Sequence, residues 1–141
     1  MNVPRMQWDP AYDLGIEDID LQHHFFLNLV NRLANELQAA QDDDRRLALI
    51  EELNAYTRFH FISEENLMRR EGFAQADEHR QHHRALLDQL SHRQASLAMK
   101  HTAESAEAMV LFLREWFLNH TQHEDRRFAQ YMASHAQRAG Q

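Results

Sequence analysis

The stretch "YTRFHFISEENLMRREGF", residues 56–73, sets a histidine and a glutamate, His60 and Glu64, four places apart in an apolar and charged run. A helix turns about 100° per residue, so positions i and i+4 lie on one face. Following that face in both directions gives Ile50, Leu53, Thr57, His60, Glu64 and Leu67. This is a core stripe interrupted by an imidazole and a carboxylate. Buried polar groups cost free energy unless they are satisfied, so the stretch predicts a long helix and a partner inside the fold for its polar pair. Basic residues followed by "EGF" at 71–73 close the helix in the manner a C-terminus favours.

The rest of the chain offers that helix three companions. Its 141 residues are one domain's worth, and 43% hydrophobic with 26% charged content describes an ordinary globular protein with a real core. Both prolines lie in the first ten residues and there are only three glycines, so nothing beyond Pro10 forbids long helices. Apolar residues recurring at three- and four-residue intervals predict helices over about 18–39, 44–70, 76–99 and 103–132. Their inner faces read Ile19, His23, Phe26, Val30, Leu33, Leu37; the stripe above; His79, His83, Leu86, Leu90, Leu97; and Met109, Val110, Leu113, Trp116, Phe117, His120. "QDDDRR" at 41–46 supplies a turn and an aspartate cap, and Thr102 is placed to cap the fourth helix. Residues 1–17 read as an N-terminal arm and about 134–141 as a frayed tail. Short connections make neighbouring helices antiparallel, so the expected fold is an all-α, up-down-up-down four-helix bundle forming one domain.

Composition excludes several chemistries. No cysteine is present, which removes disulfides, thiol catalysis and thiolate metal sites. The formal charge of −7 argues against nucleic acid as a partner. The start, "MNVPRMQWDP", lacks a signal-peptide pattern and no run reaches membrane-spanning length, so the expectation is a cytoplasmic protein without membrane insertion. What remains unusual is eleven histidines.

Placed along the bundle, the inward polar residues converge. His23 and the His60–Glu64 pair flank the first turn at about equal distances, Glu64 and the His79–His83 pair flank the second, and His83 and His120 flank the third. Equal distance from a shared turn means equal height in antiparallel helices, so all of them meet in one layer. Alone, His23 reads more readily as a satisfied core histidine, and an HxxxH spacing is weak evidence among so many histidines. Five imidazoles and a carboxylate at one height are different, because metal ions both partner and neutralise such a set. Asp125 adds a second carboxylate, although at five residues beyond His120 it is rotated well away on an ideal helix. The donor types suit divalent iron, with zinc, manganese or copper also compatible. Two metals bridged by Glu64 and Asp125 fit the ligand count. His24, His82 and His123 fall beside the set and read as solvated or outer-sphere, and His92, His101 and His135 as surface residues.

These residues carry a resemblance. "GIEDIDLQHHFFLNLVNRL" at 15–33, "HFISEENLM" at 60–68, "HRQHH" at 79–83 and "WFLNHTQHED" at 116–125 resemble, in order and spacing, the hemerythrin family and in particular its bacterial branch, the bacteriohemerythrins. The resemblance implies a non-haem di-iron centre with an oxo or hydroxo bridge. His79, His83 and His120 would bind one iron, His23 and His60 the other, with Glu64 and Asp125 bridging. It further implies reversible O2 binding at the iron with fewer histidines, transforming no substrate, for transport, storage or delivery to an oxidase or redox partner. Trp116 and Phe117 fall where the family places apolar residues over the O2 pocket; leucine is common at the second, so Phe117 is larger than usual. Trp8 resembles the family's N-terminal tryptophan, an anchor for the arm. The rival readings are O2 or redox sensing through a separate partner, an enzyme reducing peroxide or nitric oxide, and iron storage.

Overall fold

The computed structural model describes residues 5–99 and 103–139, with side chains described except at 96–99, 103, 106 and 136–139. All regular structure among the described residues is helical, without strands. A single 3-10 turn at Pro10–Tyr12 precedes α1 (Glu17–Ala39), α2 (Asp43–Arg70), α3 (Ala76–Met99) and a fourth rod built of α4 (Ala103–His120), a π-helical turn (Thr121–Asp125) and α5 (Arg126–Ala139). Consecutive helices pack side by side and α1 closes the ring against α4, which gives the up-down-up-down bundle.

Local chemistry sets the boundaries. The Asp42 carboxylate accepts from Arg45 N at 2.7 Å and caps α2. At the other end Gly72 takes φ +71°, Gly72 N–H donates to Arg69 O at 3.1 Å and Phe73 N–H to Met68 O at 2.9 Å. That is a Schellman closure, sealed by the apolar pairing of Phe73 with Met68. α1 starts without a side-chain cap at Ile16; Asp20 instead turns back to accept from Leu14 N and Gly15 N at 2.9 and 3.0 Å.

The main core lies between the four rods and holds Leu33, Leu53, Val110 and Leu113, none exposed at all. A second cluster, Met68, Phe73, Ala76 and Phe128, fills the end nearest the α2–α3 turn. The arm is tied along the outside. Met6 exchanges two hydrogen bonds with Asn31 at 2.9 and 2.7 Å, Trp8 stacks on His24 at 3.6 Å, and Arg126 donates to Asp13 O and Ala11 O.

Two expectations change. The fourth helix is not continuous, since a π turn interrupts it at Thr121–Asp125. The described part of the expected tail is helical, with α5 reaching Ala139. Alanine, glutamine and arginine favour helix at its end, and Tyr131 stacks on His135 one turn on at 5.7 Å. Thr102 and His101 lie outside the described residues, and the Leu97 side chain outside the described side chains.

Candidate metal centre

His23 enters the layer from α1, His60 and Glu64 from α2, His79 and His83 from α3, His120 from the end of α4 and Asp125 from the end of the π turn. None of the seven is more than 5% exposed. The structure therefore brings together every residue expected in the layer. It also explains the one that spacing left outside. On an α-helix the fifth residue on is rotated about 140° away, but a π turn closes i to i+5 and returns Asp125 to the face of His120, with Asp125 Oδ1 3.1 Å from His120 Nε2.

The Nε2 atoms point at one another. His23 and His60 approach to 3.1 Å, His83 and His120 to 3.0 Å, and His120 and His79 to 3.0 Å. Glu64 Oε1 stands 2.7 Å from His79 Nε2 and 3.4 Å from His83 Nε2, while its Oε2 stands 3.3 Å from His60 Nε2. Asp125 likewise spans the layer, Oδ1 at 2.9 Å from His79 and Oδ2 at 3.4 Å from His23. Glu64 Oε2 and both Asp125 oxygens are buried without a hydrogen-bond partner.

Lone pairs converging in this way need cations or protons between them. Two nitrogens held at right angles, each about 2.1 Å from a shared ion, sit about 3 Å apart. That matches the observed spacings, whereas tetrahedral ligands would stand further apart. The donors divide into two groups that share Glu64. One is Glu64, His79, His83, His120 and Asp125; the other is His23, His60 and Glu64. The residues present thus fit two neighbouring cations bridged by carboxylate.

Without metal, the layer polarises itself. Burial pushes Glu64 up, but the surrounding imidazoles of His23, His60, His79 and His83 overcome it and hold the carboxyl well below its usual range. Asp125 is lowered as well: burial and the Glu64 charge oppose the shift, and His120 and His79 outweigh them. Burial would lower His79, yet Asp125 and Glu64 raise it to about 10. His60 goes the other way, lowered by burial.

A second ring of groups holds the histidines from behind. His60 Nδ1 meets Gln22 Oε1 at 2.7 Å, His83 Nδ1 meets Glu65 Oε2 at 3.0 Å, and His120 Nδ1 faces Glu124 Oε2 at 3.6 Å. These three were not singled out from sequence. The available signal was weak: Glu65 and Glu124 each follow or precede a layer carboxylate by one residue, a position usually left to solvent. His24, His82 and His123 stay outside the layer. His24 lies under Trp8, His82 is exposed near Glu78 and Glu124, and His123 bonds to Asn119 O.

A small, mostly apolar cavity opens beside His23 and His60, with space for one water-sized molecule. Phe26, Thr57, Phe61, Leu113, Trp116 and Phe117 line it, and His120 and Asp125 border it from the other side of the layer. Phe117 stacks on Phe26 at 4.8 Å and meets the His23 ring at 5.1 Å, nearly perpendicular. Trp116 lies flat on His120 at 4.3 Å.

Fold and layer together define a four-helix bundle built around a buried cation-binding site. Residues 14–132 match the family described as the Hemerythrin HHE cation binding domain, and the chain belongs to the hemerythrin family. The chain is 26% identical to a protein named Bacteriohemerythrin from Stenotrophomonas maltophilia, over 91% of this chain and 82% of the relative. It is 28% identical to a Bacteriohemerythrin from Pseudomonas aeruginosa, over 87% of this chain and 78% of the relative. A Hemerythrin-like protein from Naegleria gruberi is 26% identical over 86% and 88%. The family is defined by binding rather than by catalysis. Among the described residues no helix is long and apolar enough to cross a membrane.

Proposed function

We propose that this protein binds O2 reversibly at a non-haem di-iron centre and serves in O2 transport, storage or delivery. His79, His83 and His120 would hold one iron, His23 and His60 the other, and Glu64 and Asp125 would bridge them. Iron bound there would supply the two electrons that a reversibly held O2 takes up and returns. The observation that carries the reading is an asymmetry: the small apolar cavity meets both histidines of the group with fewer of them, His23 and His60, and only His120 of the three on the other side.

The chain's own residues give that cavity its character. Phe117 and Phe26 form a stacked apolar wall on the His23 side, and Phe61 and Trp116 cover the other. Thr57 is the hydroxyl nearest the cavity, and it donates its hydrogen to Leu53 O at 2.8 Å, so it does not offer a proton inward. Dry walls and a committed hydroxyl suit a ligand that must leave unchanged.

The test is an absorption spectrum of anaerobically reduced, iron-loaded protein before air, after air and under vacuum, with elemental analysis of the same sample. The reading expects about two irons per chain and a colourless form that colours in air and bleaches again under vacuum. One zinc per chain would overturn the di-iron assignment. Colour that forms and does not reverse would overturn reversible O2 binding.

A further inference from the structure

We infer that Glu65 is a positioning residue acting through His83, and that it makes the pocket of His79, His83 and His120 the first of the two positions to take up a divalent cation. The inference rests on the two-metal reading of the layer. It concerns what stands behind the imidazoles rather than the imidazoles themselves.

A histidine that binds through Nε2 must keep its proton on Nδ1, and the acceptor at Nδ1 fixes that tautomer, the ring orientation and the donor strength. The acceptors here are unequal. His83 Nδ1 lies 3.0 Å from a carboxylate oxygen of Glu65, which is only 15% exposed at its side chain. The other Glu65 oxygen faces Arg80 Nε at 3.7 Å, so the carboxylate is held from both sides. Phe61 then lies flat on the His83 ring, 3.8 Å away and 3° from parallel. Tilting the ring would lose both contacts, and changing its tautomer would lose the bond to Glu65.

The other position has weaker support. His60 Nδ1 meets the amide oxygen of Gln22, a neutral acceptor whose orientation is fixed by its Nε2–H donating to Ser63 Oγ at 2.9 Å. His23 Nδ1 is buried with no hydrogen-bond partner. One pocket therefore offers an imidazole made more basic by an adjacent negative charge and already oriented. The other offers one imidazole on a neutral support and one with none. A cation meeting the empty layer is drawn first to the former.

The experiment is titration of the metal-free protein with Co2+, followed by visible absorption and calorimetry, for the unaltered chain, Glu65→Gln, Arg80→Ala and Gln22→Ala. The unaltered chain should take up Co2+ in two resolved steps. Glu65→Gln keeps an acceptor of the same shape and removes only the charge. It should weaken the first step by about 10- to 100-fold, shift the absorption bands of the first-bound ion and leave the second step within about twofold. Gln22→Ala should weaken the second step and spare the first. Arg80→Ala should leave the first step within about threefold, separating support of His83 from a plain surface ion pair. If Glu65→Gln fails to fold without metal, Glu65→Asp, which withdraws the charge from His83 by one methylene, carries the same criterion. The inference is overturned if the charge-altered variant leaves the first step unchanged, weakens both steps alike or weakens only the second. Uptake of a single Co2+ by the unaltered chain would instead remove the two-metal reading, and the effect of Glu65 on that one step would still be read.

Discussion

His82 and His83 are neighbours in sequence and differ in nearly everything that matters to a cation. His83 is 1% exposed and points its Nε2 at His120, while His82 is 46% exposed at its side chain among Glu78 and Glu124. His83→Ala should therefore collapse iron content, and His82→Ala should leave it near normal, as elemental analysis of the purified variants would show. Phe117 is the second residue whose role one side chain can test. It is 4% exposed, packed on Phe26 and against the His23 ring, and borders the cavity. Phe117→Ala should cost about 3 to 5 kcal/mol in stability with metal content unchanged. If the ring guards the cavity, O2 release and autoxidation in stopped-flow measurements should both accelerate. A loss of stability with both rates held within about twofold would mark it as packing alone.

Among the elements, the turn at Gly72 shows how a single backbone position fixes a helix end. Its φ of +71° is costly for any residue with a Cβ, and an added Cβ would meet nothing closer than Tyr131 Oη at 3.7 Å. The cost of Gly72→Ala is then backbone strain, about 1 to 2 kcal/mol, read as a lower urea midpoint with unchanged metal content. Helix ends of this kind were legible in the sequence. "RREGF" announced the closure of α2, and the i, i+3, i+4 stripes placed α1, α2 and α3 within a residue or two. His23, His60, Glu64, His79, His83 and His120 were legible for the same reason, since equal distances from turns fix equal heights. Asp125 was readable as a carboxylate near the layer but not as a member by spacing, because nothing in "HTQHED" declares that the helix widens there. Glu65 and Gln22 were not legible: each sits one residue from a layer position, off the core stripe, and meets an imidazole of the neighbouring helix, whereas Glu124 stands four residues beyond His120, a spacing that the sequence did offer.

At the scale of the molecule, the layer couples protonation, metal and stability. The His79 pKa is raised from 6.5 to about 10 in the metal-free protein, so its contribution to stability is full below 6.5 and is lost as pH rises through about 10. Between those limits a cation must displace that proton, so metal uptake should release acid into a weakly buffered solution and tighten as pH rises. Metal removal should lower the melting temperature markedly, and more so toward the alkaline end of that window; scanning calorimetry with and without chelator measures both. The π turn has a consequence of another kind. Expressed as chain length, it is one surplus residue inserted between two helices that each keep their own faces. Removing exposed Gln122 should let α4 run into α5 as ordinary helix with His120 and the aspartate four apart, and cation binding should survive the shortening. Removing Ile62, also exposed but set between His60 and Glu64 in unbroken helix, would swing one of them by about 100° and abolish binding. The fold should tolerate a lost residue at the place where it already carries a spare.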